Sequence, residues 1–121
     1  MKNIQQTVKD MLLELGVPEH LKGYQYLTEA ITVASGAEET LRVKVKGLYR
    51  QIAKLYGTTP SFVEKAIRDA VVTTWDRGDR EFLRTILGYG DDDKSRPTNS
   101  EFIILLADEV KLEMLCENAK D

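Results

Sequence analysis

The chain has 121 residues, of which 42% are hydrophobic and 31% charged, and this balance predicts one folded domain over residues 1–121. The single cysteine, Cys116, excludes an internal disulfide, and the single histidine, His20, argues against a zinc site. The longest apolar run, residues 102–107, is too short to span a bilayer, and no apolar stretch typical of a secretory signal follows the first lysine. We therefore expect a cytoplasmic protein without a cofactor or a bound metal.

The net charge of −3 conceals a strong asymmetry along the chain. Residues 42–68 contain seven basic groups and one acidic group, so this segment carries +6. Residues 1–41 carry −3 and residues 69–121 carry −6. A basic centre between acidic flanks is typical of a segment that binds a polyanion, although a solvated lysine-rich face would have the same composition.

Apolar residues recur at helical spacing along most of the chain. The first three predicted helices end at Gly16, Gly36 and Gly57, because glycine commonly ends a helix. Proline at position 18 also stops the first helix from continuing. The three apolar stripes consist of Ile4, Val8, Met11, Leu12 and Leu15; of Tyr24, Leu27, Ile31 and Ala34; and of Val45, Leu48, Ile52 and Leu55.

A fourth predicted helix has clear signals at both ends. Thr59 is a favourable N-cap, Pro60 suits the first helical position, and Gly78 ends the helix. A short fifth helix is predicted over residues 79–87. The predicted buried face of the fourth helix consists of Val63, Ala66, Ile67, Ala70, Val71 and Trp75.

The last predicted helix follows a polar loop over residues 90–96. Thr98 and Glu101 have the spacing of a capping box, in which each side chain accepts a hydrogen bond from the other residue's backbone N–H. The helix should continue to about Glu117. No strand-like alternation of four or more residues occurs. The sequence therefore predicts an all-α domain of five or six helices, without a winged β-hairpin.

No arrangement of residues predicts catalysis. His20 is the only candidate base for a nucleophilic triad, and nothing in the sequence pairs it with Cys116 or a serine. The aspartates at positions 91–93 do not start a calcium loop, because Arg96 replaces the glycine of position six and Phe102 the glutamate of position twelve. We therefore expect that the protein is not an enzyme.

Residues 49–68 match the pattern of a helix-turn-helix. This motif needs a small residue where two helices cross, a glycine in the turn and apolar residues at fixed offsets. Ala53 lies at the predicted crossing, Gly57 in the turn and Val63 at the junction of the helices. The other inward positions are occupied by Ile52, Tyr56 and Ala66. An ordinary helical hairpin with a glycine C-cap is the alternative.

In a helix-turn-helix, residues 60–77 would be the recognition helix, and its N-terminal part would enter the major groove of DNA. Lys65 and Arg68 suit guanine edges or phosphates, and Glu64 can accept a hydrogen bond from cytosine. Ser61 suits a phosphate. The predicted DNA-facing residues of this helix are Ser61, Phe62, Glu64, Lys65, Arg68 and Asp69. Contacts to the DNA backbone are also predicted for Arg42, Lys44, Lys46 and Lys54.

Strings of residues between about positions 10 and 114 resemble those of one known family. The strings include Gly16-Val17-Pro18, Lys22-Gly23-Tyr24, Ile52-Ala53-Lys54, Ala66-Ile67-Arg68 and, most specific, Pro97-Thr98-Asn99-Ser100-Glu101-Phe102. They are similar to the C-terminal DNA-binding (effector) domain of the stage-zero sporulation response regulator, the master transcription factor of endospore-forming bacteria. The family's N-terminal phosphoacceptor receiver is not contained in these 121 residues, which fits a receiver-less relative or one domain of a longer protein.

The resemblance implies a six-helix domain that binds short repeated promoter boxes as a tandem dimer. It also implies that residues 78–91 contact the transcription machinery, with the sigma subunit of RNA polymerase as the expected partner. The family carries basic or imidazole side chains where this sequence has Phe62 and Asp69, so a different target box is expected. The acidic overall charge and these two residues favour one alternative, a protein-interaction module that antagonises or partners a sporulation regulator without binding DNA.

Overall fold

The structure, a computed structural model, describes residues 3–37, 44–88 and 95–119. Helices account for 81% of these residues, and none of them lies in a strand. The helices are α1 (Ile4–Leu15), α2 (Lys22–Ser35), α3 (Val45–Tyr56), α4 (Pro60–Arg77), α5 (Arg80–Leu87) and α6 (Asn99–Ala119). The prediction of an all-α domain is confirmed, with six helices in the part of the chain that is described.

Side-chain caps explain where α4 and α5 begin. The hydroxyl of Thr59 accepts a hydrogen bond from the Phe62 amide at 3.1 Å, as expected for an N-cap. The carboxylate of Asp79 accepts one from the Phe82 amide at 3.0 Å. Asp79 is therefore the N-cap of α5, and the helix itself begins one residue later than predicted, at Arg80.

The predicted capping box at the start of α6 is confirmed. The Glu101 amide donates to the Thr98 hydroxyl at 3.1 Å, and the Thr98 amide donates to the Glu101 carboxylate at 3.1 Å. The helix extends two residues beyond the predicted end. Of the predicted polar loop, residues 90–94 lie outside the described residues, and residues 95–96 are exposed and not helical.

α2 lies at the centre of the molecule and packs against α1, α3, α4 and α6. Its Leu27 and Ile31 are completely buried, and burying a side chain of this size contributes about 1.5–3 kcal/mol. The predicted apolar face of α4 is buried against this core, except that Ala66 is only partly buried. The opposite face of α4 is consequently left towards solvent.

α2 and α4 are in close contact at Gly23. A methyl group added to Gly23 would lie 2.3 Å from the carbonyl oxygen of Ala66 and 2.6 Å from the Cβ of Ala70. Real Cβ atoms essentially never approach other atoms so closely, so only glycine fits here without a shift of one helix. A larger residue at this position would therefore force α2 and α4 apart.

α3, residues 57–59 and α4 form the predicted helix-turn-helix arrangement. Gly57 adopts the left-handed conformation (φ 66°), and its amide donates to the carbonyl oxygen of Ala53. The side chains of Ala53 and Val63 are both buried. The turn therefore has the predicted chemistry: glycine supplies the backbone conformation and small or branched residues fill the crossing.

Two residues of α3 that were predicted to face inward are instead exposed. Leu55 is 66% exposed, because it lies at the edge of the apolar stripe in the last turn, where the described part of the chain leaves it uncovered. Tyr56 is 41% exposed, and its ring packs edge-on against Tyr26 of α2 with 5.2 Å between the centroids. The tyrosine therefore joins α3 to α2 and does not fill the crossing of α3 with α4.

Candidate nucleic-acid interface

α4 presents a continuous exposed face on the side opposite the core. An α-helix turns by 100° per residue, so Ser61, Lys65 and Arg68 follow one line along the centre of this face. Glu64 lies on one side of the line, and Phe62 and Asp69 lie on the other. The six residues of α4 that were predicted to face DNA are all exposed: Ser61, Phe62, Glu64, Lys65, Arg68 and Asp69.

One side of α4 borders an open groove of about 340 Å³. Its walls are the first turns of α3, the middle of α4 and residues 96–100. Lys46, Arg68 and Arg96 line it, and Glu64 supplies the acidic group among the described residues of its lining. These four side chains carry a net charge of +2, and the groove they line is called the basic groove below.

Glu64 and Arg68, which were predicted to contact different bases, form an ion pair with each other. Nη2 of Arg68 lies 3.0 Å from Oε1 of Glu64. Both side chains are about half exposed (51% and 49%), so water and salt screen the pair. An exposed pair four residues apart on a helix contributes about 0.3–0.5 kcal/mol, which is small enough for a DNA group to replace either partner.

Asn99, at the start of α6, is bonded to both helices of the helix-turn-helix. Its Nδ2 donates to the hydroxyl of Tyr49 on α3 at 3.1 Å and to the backbone carbonyl of Glu64 on α4 at 3.0 Å. Burial raises the pKa of Tyr49, and the hydrogen bond from Asn99 partly opposes this shift. The sequence pattern predicts no contact for Asn99. The only sequence feature that could have drawn attention to it is its position within the string at residues 97–102.

The other side of α4 borders a smaller groove of about 210 Å³, shared with the start of α2. Phe62, Lys65 and Asp69 line it together with Lys22. The ring of Phe62 lies edge-on to Tyr26 of α2, with 6.3 Å between the centroids, and the side chain is 42% exposed. Phe62 and Asp69 therefore share one face, as predicted, and part of the phenylalanine ring is used in packing against α2.

The lysines predicted to contact the DNA backbone do not lie together. Lys44 immediately precedes α3, and Lys46 lies in its first turn and lines the basic groove. Lys54 is exposed in the last turn, about 12 Å farther along the helix axis, and is not part of that groove. Arg42 lies outside the described residues.

The described ranges contain neither a candidate metal site nor a helix that could span a membrane. They contain no group of three or more histidine, cysteine, aspartate or glutamate residues that could hold a metal ion. Within the same ranges, no helix combines the length and the apolar character needed to cross a membrane. The exposed face of α4 and its two grooves contain the six predicted residues of this helix and are the candidate nucleic-acid interface.

A comparison with protein families finds one match that spans most of the chain. The family is described as Sporulation initiation factor Spo0A C terminal, and its model matches residues 8–110. The matched range contains α2 to α5 complete and most of α1 and α6. Both grooves beside α4 lie entirely within it.

Proposed function

This chain belongs to the family of C-terminal domains of the sporulation initiation factor Spo0A, and on that premise we propose that it binds specific DNA sequences by inserting α4 into the major groove. The family comprises DNA-binding effector domains of a sporulation regulator, which makes double-stranded DNA the partner. It is a family of transcription factor domains and not of enzymes. The family resemblance read from the sequence is confirmed.

The observation that carries the proposal is the line of Ser61, Lys65 and Arg68 along the exposed side of α4. From Ser61 to Arg68 this line is about 10 Å long, a distance that suits insertion into a major groove about 12 Å wide. Thr59 and Gly57 place the N-terminal end of α4 directly after a tight turn. That end can then project from the molecule, as in other helix-turn-helix domains.

Four of the six exposed residues of α4 then have a defined role. Lys65 and Arg68 donate hydrogen bonds to guanine O6 and N7 or to phosphates, and Glu64 accepts one from the amino group of cytosine. Ser61 contacts a phosphate at the N-terminal end of α4. Phosphates on the α3 side are contacted by Lys46 and Lys54.

Selection from a random duplex library at two salt concentrations tests this function. We expect an enriched sequence motif and an affinity that falls steeply with salt, with a slope of about −0.9 in log K for each neutralised phosphate. Recovery of no motif, together with an affinity that does not depend on salt, would contradict the proposal.

We further propose that the chain binds DNA as a dimer and contacts the sigma subunit of RNA polymerase through residues 78–91, of which 89–91 lie outside the described residues. α5 supports a protein contact because it borders an open groove of about 390 Å³ between α1, α5 and α6. Phe82, Ile86 and Leu112 are apolar residues of its lining, and Leu112 is 56% exposed.

The same groove between α1, α5 and α6 favours a second candidate function. Four carboxylates also line this groove, and the combination of acidic and apolar side chains suits a basic amphipathic partner helix. The second candidate is a protein-interaction module that antagonises or partners a sporulation regulator without binding DNA. The duplex selection separates the two candidates, because only the first predicts an enriched motif. The four carboxylates that line the groove between α1, α5 and α6 are those of Asp10, Glu14, Glu109 and Glu113.

Phe62 and Asp69 predict that the chain reads a different box from its family. The carboxylate of Asp69 only accepts hydrogen bonds and repels phosphates, and the ring of Phe62 donates none. We therefore expect weak binding to the family's box, and a gain of about ten- to hundredfold from the double change Phe62→Arg with Asp69→His.

The control for the Asp69→His half of this change is Asp76→His, which makes the same substitution two turns farther along α4 and is expected to leave binding unchanged. The parent, the double variant and the control are measured on the family's box and on a shuffled duplex at equal salt. If the unmodified protein binds the family's box tightly and selectively, these two positions do not determine specificity.

A further inference from the structure

Three cationic side chains from separate parts of the chain meet in the basic groove. Lys46 belongs to the first turn of α3, Arg68 to the middle of α4, and Arg96 to the segment before α6. Arg68 is paired with Glu64. Among the described residues, neither Lys46 nor Arg96 has an ion pair or a side-chain hydrogen bond. The groove thus holds two cations with no partner in the described structure.

We propose that the basic groove binds one phosphate of the DNA backbone and that Arg96 is a principal contact to it. This inference rests on the proposed function, since the phosphate belongs to the duplex that α4 reads. A phosphodiester carries one negative charge and presents two free oxygens, which match the paired N–H groups of a guanidinium. A volume of about 340 Å³ accommodates a phosphate with its adjoining sugar.

The ion pair between Glu64 and Arg68 links this phosphate to base reading. A phosphate in the groove competes with the Glu64 carboxylate for the Arg68 guanidinium, and the exposed pair is weak. When Arg68 turns to the phosphate, the Glu64 carboxylate loses its partner and becomes available to accept a hydrogen bond from cytosine. Occupation of the groove therefore prepares α4 to read a base.

Arg96 is held at a fixed place beside α4 because the start of α6 is docked on the helix-turn-helix. Pro97 is buried, and its ring restricts the backbone next to Arg96. Two residues later, Asn99 bonds Tyr49 and the backbone of Glu64. A phosphate bound by Arg96 and Lys46 is therefore set at a defined distance from α4, which orients the helix in the groove of the DNA.

Salt titrations of duplex binding by Arg96→Gln and Lys46→Gln test the inference. Each variant should reduce the slope of log K against log salt by about 0.9, so that the affinity ratio of parent to variant changes about 3.5-fold between 50 and 200 mM salt. The decrease in slope should be the same on the selected duplex and on a shuffled one, because it counts neutralised phosphates. Arg96→Lys should keep the parent slope, because it keeps the charge.

Lys9→Gln on α1 is the matched control, since it removes one positive charge at a residue that does not line the basic groove. It should leave the slope unchanged. Arg96 is exposed, so Arg96→Gln should fold like the parent, and thermal melts confirm this for every variant. If Arg96→Gln keeps the parent's salt slope while the parent still selects a motif, the inference is overturned and the proposed function is not. If the parent binds no duplex, the proposed function and the inference are overturned together.

Duplexes with one uncharged methylphosphonate linkage identify the phosphate. The parent should lose affinity when a particular linkage is neutralised, and Arg96→Gln should be insensitive at that same linkage. A titration with inorganic phosphate tests the other source of the same group. The opposite result is that inorganic phosphate binds in an Arg96-dependent way while the parent and Arg96→Gln respond alike to every neutralised linkage. That result would show a site for a free anion and overturn the backbone contact.

Discussion

Lys65→Ala and Arg68→Ala should each weaken binding of the selected duplex by about 1–3 kcal/mol, which is about ten- to hundredfold. Both side chains lie on the central line of the exposed face of α4, so each loses its hydrogen bonds to a base edge or a phosphate. Where the lost contact is to a base, the preference at that position of the motif should also relax. Fluorescence anisotropy on the selected duplex and on single-base variants measures both effects.

Two controls separate base reading from general charge. Arg77→Ala removes a charge from the last turn of α4, about 18 Å along the axis from Lys65, and should change affinity little. Lys46→Ala removes a backbone contact and should weaken binding equally on all sequences. If Lys65→Ala and Arg68→Ala both bind like the parent, α4 is not the element that enters the major groove.

Gly23→Ala is expected to destabilise the fold by about 1–3 kcal/mol. The added methyl meets the backbone carbonyl of Ala66 at 2.3 Å, so relief requires α2 and α4 to move apart. This cost opposes the usual gain of about 0.5–1 kcal/mol for glycine to alanine inside a helix. Chemical denaturation followed by circular dichroism measures the free energy of unfolding.

Gly47→Ala is the matched control for this effect. Gly47 also lies in the first turn of a helix, α3, but an added methyl there meets nothing within 4 Å. It should therefore stabilise the protein by about 0.5–1 kcal/mol. A Gly23→Ala protein as stable as the parent would mean that α2 and α4 can separate without cost, and its DNA affinity would then show whether the position of α4 matters for binding.

The helices and their ends could be predicted because their causes are local. Thr59 caps α4 through a residue three positions away, and Thr98 and Glu101 cap α6 in the same way. The turn at Gly57 depends on one left-handed residue. Leu55 and Tyr56 were predicted wrongly because the helical period identifies a face, whereas the neighbours beyond the last turn of α3 decide what covers it.

The exposed side of α4 could be predicted by the same periodicity, but the division of its residues between two grooves could not. Glu64 and Arg68 face the start of α6, and Phe62 and Asp69 face the start of α2, so the six predicted residues do not form one uniform patch. Which neighbour stands on each side of α4 follows from how the helices pack. No spacing within α4 contains that information.

The sequence by itself determined the all-α class, the ends of most helices, the helix-turn-helix pattern, the basic segment and the family. Only the tertiary structure brought Arg96 to Lys46 and Arg68, and only it placed Asn99 against Tyr49, a residue 50 positions earlier. The physical reason is the range of the interactions. Caps and helical hydrogen bonds join residues three or four positions apart, whereas a groove exists only after distant helices have packed.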